Sequence, residues 1–220
     1  MGANPMLELG VKVVIAYLAG SVMGSLVVGR LRGGIDIRAQ GSGNAGGTNA
    51  LRTQGKVFAF WVIVIDVLKA VIPVAVLPSL VLPYVGIDPL VDRELLTYVV
   101  GLAAVVGHIY PVFFDFRGGK GGATAVGVMC VVKPLLVLPM IILWLAIIGI
   151  SGFVGLATIT AAIGAVVFIG VTGLPQEHGL FLFCCAVAAL IVYTHRSNIR
   201  RMLAGVEHRQ TPGIFRRRGT

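Results

Sequence analysis

Charged residues are scarce in this chain and make up 12% of its 220 residues, whereas a soluble globular domain carries about 25%. Hydrophobic residues make up 57%, and the mean hydropathy is +0.94. Several apolar stretches approach or exceed the ~20 residues that a membrane-spanning helix needs. The composition excludes a purely soluble fold and predicts an integral membrane protein.

Cysteine is also scarce, and the three cysteines are too few for a disulfide framework. Cys130, Cys184 and Cys185 lie in apolar runs, so we expect them to be small buried side chains. The four histidines show none of the spacings that are typical of zinc sites. We therefore expect neither a metal site nor a cofactor.

Acidic residues are half as numerous as basic ones, 9 against 18, which gives a net charge of +9. The basic residues are concentrated in the segment 29–56 and in the C-terminal part of the chain, which ends with the basic run 216–218. The positive-inside rule places both regions in the cytoplasm. Anionic lipid headgroups are their expected partners, and the lack of a soluble basic domain argues against nucleic acid.

The hydropathy pattern predicts an all-α polytopic membrane protein with about seven transmembrane helices, some of them short or kinked. Pro111 should kink or end the third helix, and Lys133-Pro134 should divide the fifth apolar stretch from the fourth. Seven transmembrane helices place the two termini on opposite sides of the membrane. With the basic loops in the cytoplasm, the N-terminus lies outside, and the C-terminus and the polar motif loops lie in the cytoplasm. We expect one transmembrane domain over 1–209, followed by a basic tail over 210–220. The expected apolar segments are 9–28, 57–82, 95–114, two within 123–150, 153–172 and 180–194.

The polar loop after the first apolar segment reads 41-GSGNAGGTN-49. Glycine allows backbone N–H groups to turn inward around an anion, and neutral side chains add further donors. Arg52 follows the loop and can bind a phosphate through two parallel hydrogen bonds. The candidate substrate-binding residues of this loop are Gly41, Ser42, Gly43, Asn44, Gly46, Thr48 and Asn49.

A second glycine loop, 118-GGKGG-122, carries Lys120 as a point charge. It does not have the frame of a P-loop, because Gly121 stands where that frame requires serine or threonine. Two anion-binding loops on one membrane face indicate an enzyme that handles phosphates at the lipid surface. The candidate binding residues here are Gly118, Gly119, Lys120, Gly121 and Thr124.

Ionisable residues also occur within or beside the apolar segments. Asp66 and Lys69 are three residues apart and share a helical face, so they form a buried pair that organises the site or line an entrance for a polar substrate. His108 suits a structural role as well as a functional one. Glu207 is expected to pair with a nearby arginine and hold the C-terminal helix.

Three stretches of the chain resemble, in order and spacing, the motifs of the bacterial acyl-phosphate:glycerol-3-phosphate acyltransferases, which are integral membrane enzymes of phospholipid synthesis. They are 41-GSGNAGGTNALR-52, 107-GHIYPVFFDFRGGKGGAT-124 and 195-HRSNIRRMLAGVEHR-209. The resemblance covers nearly the whole chain. Gly47 stands where the family commonly has alanine, and Gly122 where it commonly has valine. All of these residues are small, so the two departures do not weaken the resemblance.

The resemblance implies that an acyl group passes from acyl phosphate to the 1-hydroxyl of sn-glycerol 3-phosphate in the bacterial cytoplasmic membrane. The products are 1-acylglycerol 3-phosphate (lysophosphatidic acid) and inorganic phosphate, in the first step of phospholipid synthesis. It also implies that the second motif serves glycerol 3-phosphate. The residues it marks as needed for activity are Ser42, Arg52, Lys120, His195 and Asn198. Because the donor is already activated, no covalent acyl-enzyme is expected.

Alternatives remain at this point for individual residues and for the function. Ser42 also suits a helix N-cap or a turn, and its surroundings are not the Gly-x-Ser-x-Gly elbow of a serine nucleophile. His195 suits an interfacial position, substrate binding or acceptance of the glycerol hydroxyl proton, and a substrate phosphate is an equal candidate for the base. The alternative functions are a transporter of a phosphorylated solute and an acyltransferase that uses acyl-CoA or acyl carrier protein. The His-x-x-x-x-Asp dyad of the acyl-CoA enzymes is absent, because His108 and Asp115 are seven residues apart.

Overall fold

The computed structural model describes residues 5–210, so the basic run 216–218 and nearly all of the predicted tail lie outside the described residues. The described part of the chain contains ten α-helices, two single-turn 3-10 helices and no β-strand, which confirms the all-α prediction. The helices are α1 Pro5–Gly20, α2 Gly24–Leu31, α3 Gly47–Gln54, α4 Lys56–Val76, α5 Arg93–Ile109, α6 Gly122–Val132, α7 Pro134–Ser151, α8 Val154–Thr172, α9 His178–Thr194 and α10 Arg196–Leu203. The 3-10 helices are Ile37–Ala39 and Val112–Phe114.

Four segments are long and apolar enough to cross a membrane: α4, α7, α8 and α5 with its following turn. The pairs α1–α2 and α9–α10 are bent by 45° and 54°, and counting each pair as one span gives six. The predicted number of about seven transmembrane helices is therefore approximate. The seventh predicted segment corresponds to α6. At 11 residues, α6 is ~16 Å long and shorter than a ~30 Å hydrocarbon core.

Several helix boundaries lie at prolines, although Pro73 and Pro139 are inside α4 and α7. α5 ends at Ile109 ahead of Pro111, and α6 is separated from α7 by the predicted break at Pro134. The second segment ends at Val76 rather than at residue 82, because Pro78 has no N–H with which to continue the helix. The first segment, predicted to be continuous over 9–28, is instead broken between α1 and α2.

The described residues group into two compact units, one up to Pro134 and one from Leu135. In the first unit, α1 packs along α5 and α4, and α4 also packs along α6. Glycine makes the α1–α5 crossing close: a Cβ on Gly20 would overlap the backbone of Ala104, and a Cβ on Gly107 would overlap Tyr17 O. Small residues thus mediate close helix packing in this region.

A buried ionic cluster, which the sequence analysis did not anticipate, ties the 77–92 loop to α1. Glu8 Oε1 lies 2.7 Å from Lys12 Nζ and 2.5 Å from Arg93 Nη1, and both Glu8 and Lys12 are fully buried. Lys12 Nζ donates to Pro78 O at 3.3 Å, and Arg93 Nη2 donates to Asp88 O at 2.9 Å. The signal available in the sequence was the i, i+4 pair of opposite charges on an otherwise apolar helix.

In the second unit, α8 packs against α9, and α10 lies on both. Trp144 Nε1 of α7 donates to Thr158 Oγ1 of α8 at 3.2 Å. Most of the α7 surface is exposed, because lipid rather than protein covers an apolar face in a membrane.

Lipid exposure also explains an incorrect prediction about the cysteines. Cys184 is buried, whereas Cys185 is half-buried and Cys130 is exposed. An apolar face in contact with lipid gives a small side chain the same apolar surroundings as a protein core. Burial within the protein was therefore not required at Cys130.

Candidate active site

The first glycine loop is held from inside by the side chain of Asn49, which is 2% exposed. Asn49 Nδ2 donates to Ile37 O at 2.9 Å and to Gln40 O at 3.0 Å, and its Oδ1 accepts from Ser42 N at 3.0 Å. The sequence placed Asn49 among the donors to a phosphate. Both of its amide hydrogens are instead used within the loop, so in this structure Asn49 is the group that shapes the loop.

Ser42 lies at the exposed tip of this loop. Gly43 N donates to Gln40 O at 3.0 Å, which closes a turn around Gly41 and Ser42, and Gly41 has φ +57°. The N-cap position of α3 is taken by Gly46, so the helix-cap alternative for Ser42 is wrong and the turn alternative is confirmed. Asn49 thus fixes the backbone of Ser42 and leaves its side chain exposed.

The loop leads directly into the N-terminus of α3. Asn44 Oδ1 accepts from Gly46 N at 2.9 Å and turns the chain into the helix. No side chain caps α3, and uncapped N–H groups at a helix N-terminus favour an anion. Thr48 is half-buried in the first turn, and Arg52 is exposed in the last turn.

The second glycine loop has the same relation to α6. Gly121, with φ +85°, occupies the N-cap position, and no side chain caps this helix either. Lys120, just before it, is half-buried. Thr124 in the first turn is fully buried, and its hydroxyl has no hydrogen-bond partner among residues 5–210.

His108, at the end of α5, forms the support under this second loop. Gly119 N donates to His108 O at 3.0 Å. A Cβ on Gly119 would overlap the His108 imidazole, and a Cβ on Gly118 would overlap His108 O. The two glycines therefore allow the loop to lie directly on the end of α5.

Arg38 connects the two loop regions, a contact that the sequence analysis missed. Its Nη1 donates to Phe114 O at 3.2 Å, and its Nη2 lies 2.8 Å from Asp36 Oδ2. Hydrogen bonding to Arg38 lowers the pKa of Asp36, and the same bond raises the pKa of Arg38. The ion pair thus presents a charged guanidinium to the chain just ahead of the second loop.

The predicted pair on α4 exists and is buried. Lys69 Nζ lies 2.9 Å from Asp66 Oδ1 and also contacts His108 Nδ1 at 2.8 Å. Asp66 is 1% exposed and Lys69 is 8% exposed. The sequence left open a buried pair or residues that line an entrance, and the structure shows a buried ion pair.

The third motif lies in the second unit. His195 Nδ1 is 2.8 Å from Ile191 O, and because a carbonyl only accepts, Nδ1 carries the proton and Nε2 the lone pair. Asn198 Nδ2 donates to Glu207 Oε1 at 2.7 Å, and Arg201 Nε donates to Glu207 Oε2 at 2.6 Å. The predicted pairing of Glu207 with an arginine is confirmed.

The first unit thus contains two glycine loops, each ending at an uncapped helix N-terminus and each accompanied by a basic side chain, Arg52 or Lys120. Neutral donors and two cations suit phosphate groups. The arrangement can hold phosphate esters beside an apolar membrane interior.

Comparison with known sequences gives a consistent result. The family described as Glycerol-3-phosphate acyltransferase matches residues 11–205. The chain is 44% identical over 197 residues to the glycerol-3-phosphate acyltransferase of Aquifex aeolicus, covering 90% of this chain and 96% of that one. It is 36% identical over 194 residues to the enzyme of the same name from Bacillus cytotoxicus, covering 88% and 91%.

Solved structures give the same answer. The fold is similar to the crystal structure of PlsY, an integral membrane glycerol 3-phosphate acyltransferase in its glycerol 3-phosphate form, with a TM-score of 0.78 and 39% identity. That match covers 91% of this chain and 94% of the other. A lysophosphatidic acid form of PlsY matches with a TM-score of 0.76 and 38% identity. The chain is a multi-pass membrane acyltransferase of phospholipid synthesis, and it belongs to the glycerol-3-phosphate acyltransferase family.

Proposed function

We propose that this acyltransferase takes its acyl group from acyl phosphate and transfers it to the 1-hydroxyl of sn-glycerol 3-phosphate. The observation that carries the proposal is the pair of glycine loops, each ending at an uncapped helix N-terminus within one compact unit. Acyl phosphate has its phosphate on the reacting carbonyl, and the acceptor carries another. Two phosphates close to the reaction need two anion sites, whereas an acyl-CoA thioester has no phosphate at its carbonyl.

The second motif is proposed to bind the glycerol 3-phosphate. Its loop offers backbone N–H groups, Lys120 and the buried hydroxyl of Thr124 near the start of α6. The glycerol 3-phosphate and lysophosphatidic acid forms of the similar PlsY structure support substrate and product of this chemical type. The first loop, with Ser42 and Arg52, is therefore proposed to bind the phosphate of the acyl donor.

The proposed reaction is a direct attack. The glycerol 1-oxygen forms a bond to the acyl carbon, the bond from that carbon to the phosphate oxygen breaks, and inorganic phosphate leaves. Arg52 and Lys120 stabilise the charge that develops on the leaving phosphate and the carbonyl oxygen. Ser42 is assigned as a phosphate ligand and not as a nucleophile, because the activated donor makes an acyl-enzyme unnecessary. The hydroxyl proton passes either to His195 Nε2 or to a substrate phosphate oxygen.

The decisive test uses purified protein in a lipidic mesophase with palmitoyl phosphate and glycerol 3-phosphate. Phosphate release is followed, and the lipid product is identified by mass spectrometry, with palmitoyl-CoA and palmitoyl acyl carrier protein as parallel donors. We expect lysophosphatidic acid from palmitoyl phosphate alone. Product from either other donor alone would overturn the donor assignment. Flux of labelled glycerol 3-phosphate into liposomes without any acylated product would support the transporter alternative.

Site variants extend this test. Ser42→Ala and Lys120→Ala are expected to abolish turnover while the protein remains folded. Lys56→Ala is the matched control, because Lys56 is an exposed lysine at the start of α4 and outside both glycine loops. Near-normal turnover in both site variants, with equal thermal midpoints, would show that the site assignment is wrong.

The proposed location is the bacterial cytoplasmic membrane, with the N-terminus outside and the motif loops inside. The basic residues of the 29–56 segment support this orientation through the positive-inside rule. Single cysteines at Leu90 and Gly34, in a chain whose three native cysteines have been replaced, would be treated with an impermeant maleimide in whole cells. We expect labelling at position 90 only; labelling at position 34 only would reverse the orientation.

A further inference from the structure

A buried polar network in the first unit connects the start of α2, which leads towards the first glycine loop, with His108, which supports the second. Its centre is the Asp66–Lys69 ion pair of α4, with 2.9 Å between Lys69 Nζ and Asp66 Oδ1. Lys69 Nζ also donates to Val22 O at 2.7 Å and contacts His108 Nδ1 at 2.8 Å. The pair therefore connects the break between α1 and α2 with the end of α5.

One end of the network fixes α2, which leads to the first loop. Gly24 N, freed by the helix break, donates to Asp66 Oδ1 at 3.1 Å. A Cβ on Gly24 would lie 2.7 Å from Val62 O, so α2 rests directly on the α4 backbone. Within the membrane these backbone groups need partners from the protein, and Asp66 and Lys69 provide them.

The other end fixes the support of the second loop. The Lys69 ammonium has only donors, so His108 Nδ1 accepts and the imidazole proton lies on Nε2. The ring is held flush against Gly119, where a Cβ would overlap it, and Gly119 N donates to His108 O at 3.0 Å. A displacement of the His108 ring would therefore displace the loop that carries Lys120.

We infer that Asp66 and Lys69 are positioning residues that hold the two glycine loops in a fixed mutual arrangement. Building on the proposed function, this arrangement sets the distance between the phosphate of the acceptor and that of the donor. The pair acts through Gly24 and His108 and needs no contact with substrate. Direct attack requires such precision, because a displacement of ~1 Å between the reacting groups can lower the rate ~100-fold.

The chain offers a matched control in the Glu8–Lys12 pair. Lys12 is a fully buried lysine paired with a carboxylate at 2.7 Å, as Lys69 is at 2.9 Å. It precedes Val22 by ten residues, which is ~15 Å along a helix. Its backbone partner is Pro78 O in the 77–92 loop.

The test compares Lys69→Met with Lys12→Met. Hydrogen exchange of the substrate-free protein is measured by mass spectrometry, and kcat and KM for glycerol 3-phosphate are measured per folded protein. In Lys69→Met we expect amides of both glycine loops and of the segments that lead into them, 37–49 and 108–122, to exchange at least ~10-fold faster. We expect kcat to fall at least ~10-fold. In Lys12→Met we expect faster exchange over 77–92, with both loops and kcat unchanged. Lys69→Arg should recover part of the loop protection, because it keeps the cation.

Wild-type exchange in both loops and wild-type kcat in Lys69→Met would overturn the inference. Equal loop effects in Lys69→Met and Lys12→Met would overturn it too, since any buried pair would then suffice. If Lys69→Met does not fold, the near-isosteric Asp66→Asn carries the same readouts, with the same expected and contrary results. The exchange experiment contains no substrate, so its result holds even if the assay identifies a different acyl donor.

Discussion

Asn49 Oδ1 accepts a hydrogen bond from Ser42 N at 3.0 Å, so a buried helix residue positions an exposed loop serine. We predict that Asn49→Asp lowers both stability and turnover. The substitution replaces the amide NH2, which donates to Ile37 O and Gln40 O, with an oxygen that faces the same two acceptors. A buried acceptor left unsatisfied costs ~1–3 kcal/mol. Thermal unfolding and steady-state turnover measure the two effects.

Gln54→Ala is the control for Asn49. It removes a hydrogen bond to the same stretch of chain, from Gln54 Nε2 to Gln40 Oε1 at 2.7 Å, but on the exposed side. Its thermal midpoint and turnover should stay close to those of the wild type. If Asn49→Asp retains full turnover, the two hydrogen bonds donated by Asn49 Nδ2 are not needed to hold the loop in its active shape.

The parts of the fold that could be predicted from the sequence are those set by local chemistry. Pro111 and Pro134 were predicted to end or divide helices, and both boundaries are observed, whereas Pro73 and Pro139 lie inside α4 and α7. The Asp66–Lys69 pair follows from a spacing of three residues on one helix. The two glycine loops were recognised because their residue types are unusual between apolar segments.

The parts that could not be predicted depend on packing between distant segments. Arg38 reaches Phe114 O across 76 positions of sequence, and no local pattern indicates which carbonyl an arginine side chain will bind. An asparagine in this loop could face either a substrate or the loop interior, and the sequence does not distinguish the two. The orientation of Asn49 depends on where the fold places Ile37 O and Gln40 O. The break between α1 and α2 likewise depends on polar partners from α4.

The Asp36–Arg38 pair predicts a pH dependence of stability. Hydrogen bonding to Arg38 holds the pKa of Asp36 below its usual range, so the unfolded state binds the proton more tightly. The stabilisation is complete above the ordinary carboxyl pKa of ~4 and is lost as the pH falls through the lower folded value. Because the Asp36 side chain is 43% exposed, we expect a stabilisation of less than ~1 kcal/mol. The corresponding shift of the thermal midpoint is smaller than ~4 °C.

The measurement is the midpoint difference between the wild type and Asp36→Asn from pH 7 to pH 3. We expect the wild type to be more stable at pH 7 and the difference to disappear towards pH 3. In an Arg38→Ala background, the pH-dependent effect of Asp36→Asn should become smaller, since the guanidinium is missing and the bond from the backbone N–H of residue 38 remains. A difference that is constant with pH would mean that the carboxylate charge is not the source of the stabilisation.

A substitution of His195 tests whether this histidine accepts the proton of the glycerol hydroxyl. Its Nδ1 is 2.8 Å from Ile191 O, which leaves the lone pair on Nε2. We predict that His195→Gln lowers kcat by ~10²-fold or more, as the loss of a general base does. His208→Gln, which alters an exposed histidine of the same motif, should leave kcat unchanged. A kcat within threefold of the wild type in His195→Gln would assign the proton to a substrate phosphate.

Glu207 shares its two carboxylate oxygens between Asn198 and Arg201, at 2.7 and 2.6 Å. Glutamine at this position has one oxygen and one NH2, so it can accept from only one of these donors. We predict that Glu207→Gln lowers the thermal midpoint, because a hydrogen bond to a charged group contributes ~1.5–3 kcal/mol. We also predict a fall in kcat of ~10-fold, because Asn198 loses its orientation.

Arg201→Gln separates the two effects of Glu207, because it removes the ion pair and leaves the bond from Asn198 to Glu207 in place. It should lower the free energy of unfolding by less than ~1 kcal/mol, since the Arg201 side chain is 39% exposed, and it should not change kcat. If both variants lose kcat equally, Glu207 acts by holding α10 as a whole. If only Glu207→Gln loses kcat, the carboxylate acts through Asn198, and the activity of this family member depends on the orientation of that amide.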